Sequence, residues 1–123
     1  MGDPRHVFGL AAENAAARWL DACGWRVLAR RCRSPGGGEV DLVALDPDGA
    51  LVAVEVRARR TSRAGAAGLS VDGRRVARLR RTLATIGAAS GTAHRALRVD
   101  LITAEPVDGG SGAWRLLRIP GVG

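Results

Sequence analysis

The sequence predicts an α/β fold: a mixed β-sheet flanked by two helices, in the order helix, three strands, helix, two strands. Three observations lead there. The stretch from Gly38 to Arg59 alternates apolar and polar residues on either side of Asp46-Pro47-Asp48-Gly49, as a half-buried hairpin does. Apolar residues recur with helical spacing on both sides of that hairpin, over residues 6–23 and about 72–89. Alternation returns over residues 94–103 and 113–119. Helices before and after a central hairpin give an α/β sandwich.

A chain of 123 residues is enough for one domain with a real core and too short for two, so a single domain is expected, with its core over about residues 6–104. Apolar residues at 46% and charged residues at 25% are ordinary for a soluble globular protein. No run approaches the roughly 18 apolar residues a membrane span needs. The start, MGDPRHVFGL, lacks the basic-then-apolar order of a secretory signal, and a cytoplasmic location is expected. Cys23 and Cys32 have neither a CxxC partner nor a His at ligand spacing, so they read as reduced thiols. A net charge of +7 and a pI near 11.4 point toward a polyanion, most often nucleic acid or an anionic surface. All 19 basic residues are Arg, as a compositional bias toward Arg and Ala would also produce. The aromatics Phe8, Trp19, Trp25 and Trp114 are not interleaved with Arg, which gives little support to a single-strand stacking surface.

The first helix is expected over residues 6–23, with an apolar stripe of Phe8, Ala12, Ala15, Trp19 and Cys23 and a closing Gly24. Glu13 falls toward the apolar side, where a carboxylate is costly unless paired, protonated or metal-bound. The first strand spans residues 25–33, with Trp25, Val27 and Ala29 on one face. Ser34-Pro35-Gly36-Gly37-Gly38 is a loop in which glycine lets the backbone pass close to another group.

In the hairpin, Pro47 pre-sets the first corner of the turn and Gly49 takes the left-handed position, which sets Asp46 opposite Ala50. Counting outward pairs Ala44 with Val52, Leu42 with Val54 and Val40 with Val56 on one face. On the other face Asp41 meets Glu55 and Glu39 meets Arg57. A one-residue slip would scatter both sets.

Residues 60–68 (RTSRAGAAG) have no period and read as a loop. Ser70 or Asp72 caps the second helix, whose stripe is Val76, Leu79, Leu83 and Ile86. Arg74, Arg75, Arg78, Arg80 and Arg81 crowd its remaining surface, with no acid between Asp72 and Asp100. A solvated face is the ordinary reading of such a run, but like charges at these spacings repel, and a phosphate backbone would relieve that cost. In the fourth strand Leu97, Val99 and Leu101 share one face and Arg98 and Asp100 the other. Residues 105–112 are a turn-rich connection.

Asp41 and Glu55, if directly opposed, have Cβ atoms roughly 5 Å apart. Their oxygens can then meet around one hard divalent cation, Mg²⁺ or Mn²⁺, with bonds of about 2.1 Å and the remaining positions filled by water. Glu39 and Glu13 lie within the same reach. Arg57, two residues after Glu55, shares its face and can hold a phosphate. The plainer reading is a set of cross-strand salt bridges, Glu39 to Arg57 and Asp41 diagonally to Arg59.

An acid, a strand pair and then Glu-x-basic resembles the core of the restriction-endonuclease-like, PD-(D/E)xK, nucleases. More closely, the chain resembles the small bacterial YraN family, also called UPF0102. The matching pieces are Gly9 to Glu13 with Ala16 and Leu20, Gly24-Trp25, Gly38 to Ala44, Val54 to Arg59, Arg74-Arg75-Val76, and Arg98 to Ile102. The resemblance implies a restriction-endonuclease-like fold similar to Holliday-junction resolvases. It implies Asp41 and Glu55 as metal ligands and catalytic residues, Glu13 as a helper, and Arg57 in the position the family usually fills with Lys. Arg stays protonated, so Arg57 can do electrostatic work but cannot accept a proton.

The expectation is therefore a nucleic-acid-binding protein and divalent-metal-dependent endonuclease that hydrolyses DNA, with Arg59, Arg74, Arg75, Arg78 and Arg81 on the phosphate backbone. The alternative is a degenerate nuclease fold that only binds. A homodimer is compatible with cutting two strands, although no oligomerisation stripe is evident.

Overall fold

The computed structural model describes residues 3–34, 37–60, 71–107 and 112–122. The chain forms α1 (Pro4–Ala22), β1 (Arg26–Arg33), β2 (Glu39–Leu45), β3 (Ala50–Ala58), α2 (Gly73–Ser90), β4 (Ala96–Pro106) and β5 (Trp114–Ile119). The five strands make one sheet in the order β1-β2-β3-β4-β5. Neighbours are antiparallel except β3 and β4, which run parallel with α2 as their crossover. This is the expected α-β-β-β-α-β-β order with a mixed sheet. Residues 61–68 of the expected loop, Pro35 and Gly36, the alternative cap Ser70 and residues 108–111 lie outside the described residues. No described helix is long and apolar enough to cross a membrane.

α1 begins two residues earlier than its apolar spacing suggests, because Asp3 caps it, accepting from Arg5 N–H at 2.9 Å, with Pro4 in the first turn. It ends in a Schellman motif: Trp25 N–H donates to Leu20 C=O and Gly24 N–H to Asp21 C=O, with Gly24 at φ 87°. The buried face of α1 is Ala12, Ala15, Ala16, Ala17 and Leu20. The expected stripe is thus rotated: Cys23 is exposed, Trp19 is only partly buried, and the Phe8 ring turns outward to Trp114, with centroids 5.3 Å apart. Alanines let the helix axis approach the sheet, and the large residues are displaced to its margins.

Both faces of the sheet are covered. Leu42, Ala44, Val52, Val54 and Ile102 pack with Ala16, Ala17 and Leu20 of α1. Val43, Leu51, Ala53 and Val99 pack with Val76, Leu79 and Leu83 of α2. Ile86 borders the second cluster, so the stripe expected for α2 is the one it buries. In β1 the register shifts between Val27 and Ala29. Trp25 and Val27 therefore face the α1 core while Ala29 joins the α2 side, and the three do not share the face their alternation suggested.

The hairpin turn forms as its residues dictate. Asp46 N–H donates to Ala50 C=O at 2.9 Å, Gly49 has φ 92°, and Asp46 Oδ1 accepts from the N–H groups of Asp48 and Ala50. The register is Leu45↔Leu51, Ala44↔Val52, Val43↔Ala53 and Leu42↔Val54, as counted from the turn.

Beyond Leu42↔Val54 the ladder stops, which corrects the outer pairs. β2 continues with β1 as far as Arg33↔Glu39, and β3 continues with β4 as far as Ala58↔Ala104. Each strand follows its other neighbour, and the two part. Val40 packs in the α2 core while Val56 borders the α1 core, so these two do not meet.

Candidate functional site

The parting of β2 and β3 opens a cleft under the first turns of α2; Asp41 lines it, and Glu55 is buried behind Arg75, which lines it too. Asp41 reaches across: its Oδ2 accepts the main-chain N–H of Val56 at 2.9 Å. The two carboxylates are thus brought together without being a ladder pair.

Glu55 is 6% exposed. Its Oε1 accepts from the Arg75 guanidinium on α2, and its Oε2 is buried with no hydrogen-bond partner. Asp41 pays for this company in its ionisation. Burial first, then the Glu55 charge, push its pKa up from 3.8 to about 6; Glu13 adds to the rise, while the Val56 N–H and Arg75 oppose it. The hydrogen bond to Glu55, and then its charge, raise the pKa of Arg75, with Asp41 contributing.

Glu13 comes in from α1 and is held by Arg31 Nε at 3.1 Å, with 14% of its side chain exposed. Pairing is therefore how this carboxylate tolerates the apolar side of its helix. Arg31 lies across from Asp41 in β1, between the pairs Arg30↔Leu42 and Cys32↔Val40, and has φ 49°, the only positive φ at a described non-glycine residue. No local signal in the sequence singles out Arg31.

Glu39 and Asp41 each have a partner other than the cross-strand arginine expected along the hairpin. Glu39 pairs with Arg33 of β1 at 3.2 Å. Arg59 places Nε and one Nη in buried positions without a hydrogen-bond partner. Arg57 is partly buried and stands beside Thr103 of β4.

A cavity of about 290 Å³ joins Asp41, Glu39 and Gly38 to Arg75, Arg78 and Thr82 of α2. A second, of about 360 Å³, shares Gly38, Arg78 and Thr82 with it and extends to Arg81, Thr85 and Ser34. The two make a groove along α2 from the carboxylates toward its middle, with Arg75, Arg78 and Arg81 spaced one turn apart. Gly38 lies where the loop crosses α2; a Cβ there would stand 2.0 Å from Thr82 Oγ1. The glycine is required by the helix beneath the loop. Arg74 is exposed on the first turn of α2.

A divalent cation fits this donor set in part. Among the described residues no three His, Cys, Asp or Glu side chains cluster as metal ligands. Asp41 and Glu55 supply two hard oxygen donors, and Glu55 Oε2 is buried and unsatisfied. That suits an ion such as Mg²⁺ or Mn²⁺, which keeps several waters.

A second polar cluster was not singled out by sequence pattern. Asp100 is fully buried on β4 and accepts from Arg98 (2.7 and 3.1 Å), from Arg118 (2.9 Å) and from Gly121 N–H (3.0 Å). Arg98 also donates to Asp46 at 2.9 Å, and both guanidinium groups lie over the Trp25 ring. Every acceptor here is matched, which marks a structural network tying the hairpin turn to the chain end.

The family described as "Uncharacterised protein family UPF0102" matches residues 12–104. A UPF0102 protein of Deinococcus radiodurans is 39% identical over 120 residues, 96% of each chain. One of Bordetella avium is 43% identical over 112 residues, 91% of this chain and 74% of its own. One of Paracidovorax citrulli is 52% identical over 65 residues, which span only 51% of this chain and 48% of that relative.

Proposed function

We propose that this chain, which belongs to the uncharacterised protein family UPF0102, binds nucleic acid and hydrolyses DNA phosphodiester bonds with the help of a divalent cation. The observation that carries this reading is Asp41, at the head of an arginine-lined groove and close enough to the buried Glu55 to feel its charge. Asp41 and Glu55 would hold Mg²⁺ or Mn²⁺, which when bound acidifies a water and offsets charge developing on the phosphate. Glu13, anchored by Arg31, adds negative potential behind Asp41. Arg57 supplies a fixed positive charge for the scissile phosphate. Arg78 and Arg81 face the groove and Arg74 is exposed on the first turn of α2; each can neutralise backbone phosphates. Arg59, just past the end of β3, is a further candidate for a backbone phosphate.

A second reading is a binding module that has let the chemistry go. Two observations favour it: Arg stands at the motif's basic position, and Arg75 already neutralises Glu55.

The deciding experiment incubates the protein with labelled single-stranded, duplex and four-way-junction DNA under Mg²⁺, Mn²⁺ or EDTA, beside Asp41→Ala and Glu55→Ala. Metal-dependent cutting that both variants lose supports the nuclease. Binding that ignores EDTA, with no cutting of any substrate, supports the module.

A further inference from the structure

Arg75 bonds Glu55 and lines the same cavity as Asp41. It belongs to the first turns of α2, where the helix dipole disfavours positive charge, and the one carboxylate at that end, the cap Asp72, accepts from Arg74 N–H. An arginine there needs an anion from elsewhere, and Glu55 is the one it has. The neutralisation is incomplete. Arg75 bonds one oxygen of Glu55, the other stays unsatisfied, and Asp41 has no direct contact with it. One positive charge thus faces two carboxylates, whereas a divalent cation would balance both. The partners also differ in freedom. The Arg75 side chain is 46% exposed and that of Glu55 only 8%. The guanidinium can leave without opening the core, and it lines the same cavity as Asp41, Arg78 and Thr82.

We propose that Arg75 is an exchangeable counter-charge. It holds Glu55 while the site lacks a divalent cation, and cation entry releases it into the groove beside Arg78, where it takes a phosphate of the nucleic acid. This rests on the reading of Asp41 and Glu55 as cation ligands. Its consequence is reciprocal coupling: cation binding strengthens nucleic-acid binding, and nucleic acid strengthens cation binding by the same factor.

The test is binding, not turnover. Mn²⁺ affinity is measured by titration calorimetry at pH 8 for wild type, Arg75→Gln and Arg80→Gln. The last removes the same charge from α2 outside the cavity. Arg75→Gln should tighten Mn²⁺ by about tenfold, because its competitor is gone, and Arg80→Gln should stay within about twofold. Binding of a labelled duplex at fixed ionic strength should be about fivefold tighter in wild type with Ca²⁺ than with EDTA, and Arg75→Gln should lose that difference. If the Gln variant fails to fold, Arg75→Met, which keeps the aliphatic stem, replaces it. Unchanged or weaker Mn²⁺ binding in the Arg75 variant overturns the proposal, as does equal tightening in Arg80→Gln. Absence of Mn²⁺ binding in all three proteins overturns the cation site itself.

Discussion

Asp41 Oδ2 accepts the N–H of Val56 at 2.9 Å, across the gap where β2 leaves β3. One bond thereby fixes a carboxylate of one strand to the backbone between Glu55 and Arg57 on the next. The cleft keeps its shape although the ladder beneath it has ended.

That bond separates two substitutions at one position. Asp41→Ala leaves the part-buried Val56 N–H without an acceptor and should cost about 1–3 kcal/mol in urea unfolding at pH 4, where the folded Asp41 carries no charge whose removal would offset the loss. Asp41→Asn keeps an acceptor oxygen and removes the charge. Both should abolish cation binding, so a calorimetric Mn²⁺ titration that still saturates in Asp41→Asn would count against Asp41 as a ligand.

The raised pKa of Asp41 sets the sign of a pH effect. The folded value, about 6, lies above the ordinary value of 3.8, so between these pH values the folded chain holds more of this proton than the unfolded chain. Stability from this group is therefore full below about pH 4, declines as pH rises through 6, and at pH 8 is lower by about 3 kcal/mol at most. Asp41→Asn should flatten this decline and unfold at higher urea than wild type at pH 8, without added metal. A parallel pair of stability–pH curves would show that Asp41 ionises in the fold as it does in water.

Asp100 makes the opposite case, a carboxylate whose partners are complete. Asp100→Ala would leave Arg98 and Arg118 facing an empty site beside Trp25. Removing one member of a buried ion network costs about 3–5 kcal/mol, and the melting temperature should fall accordingly. Asp100 lies on β4 away from the cleft, so Mn²⁺ affinity of the remaining folded protein should be unchanged.

Gly38 and Thr82 should behave as a coupled pair. A Cβ at residue 38 would overlap Thr82 Oγ1 at 2.0 Å, so Gly38→Ala should destabilise by about 1–3 kcal/mol. Thr82→Ala removes the oxygen and should recover part of that loss in the double variant, giving a non-additive cycle. Additive costs would mean that the loop moves away from α2 as a whole.

Local chemistry made most of the fold legible. Alternation marked the strands, Pro47 and Gly49 set the turn, and Asp72 capped α2. From the turn the register was countable for as long as the two strands stayed paired. Where they part is decided by Cys32 and Arg33 on one side and by residues 102–104 on the other, partners that no hairpin pattern contains. Asp41 and Glu55 are therefore not the ladder rung that counting made them; the link between them is the Val56 N–H and their mutual charge. Arg75 meets Glu55 across 20 positions, from the helix of the crossover, and Arg118 meets Asp100 across 18, from the neighbouring antiparallel strand; neither contact leaves a periodic trace. In α1 alanine occupies several faces, so spacing alone could not choose the one that is buried.

Arg57 is where the two functional readings diverge most cheaply. A guanidinium spreads its charge over a plane and reaches further than an ammonium. A lysine there would place a compact charge nearer the water and the phosphate that Asp41 and Glu55 would align. If the chain cuts DNA, Arg57→Lys should keep or raise the cutting rate, by up to about tenfold, a change of about 1.4 kcal/mol in the barrier. Arg57→Ala should lower it by about 100-fold, as loss of one charge stabilising a transition state does. Duplex affinity at fixed salt should move little in either variant, because the groove arginines carry the backbone contacts. If neither wild type nor Arg57→Lys cuts any substrate, restoring the motif's usual residue has not restored chemistry. The pairing of Arg75 with Glu55 would then be the resting state of a binding module. Its duplex affinity should fall with salt on a log–log slope that Arg78→Ala and Arg81→Ala each reduce by about 0.9.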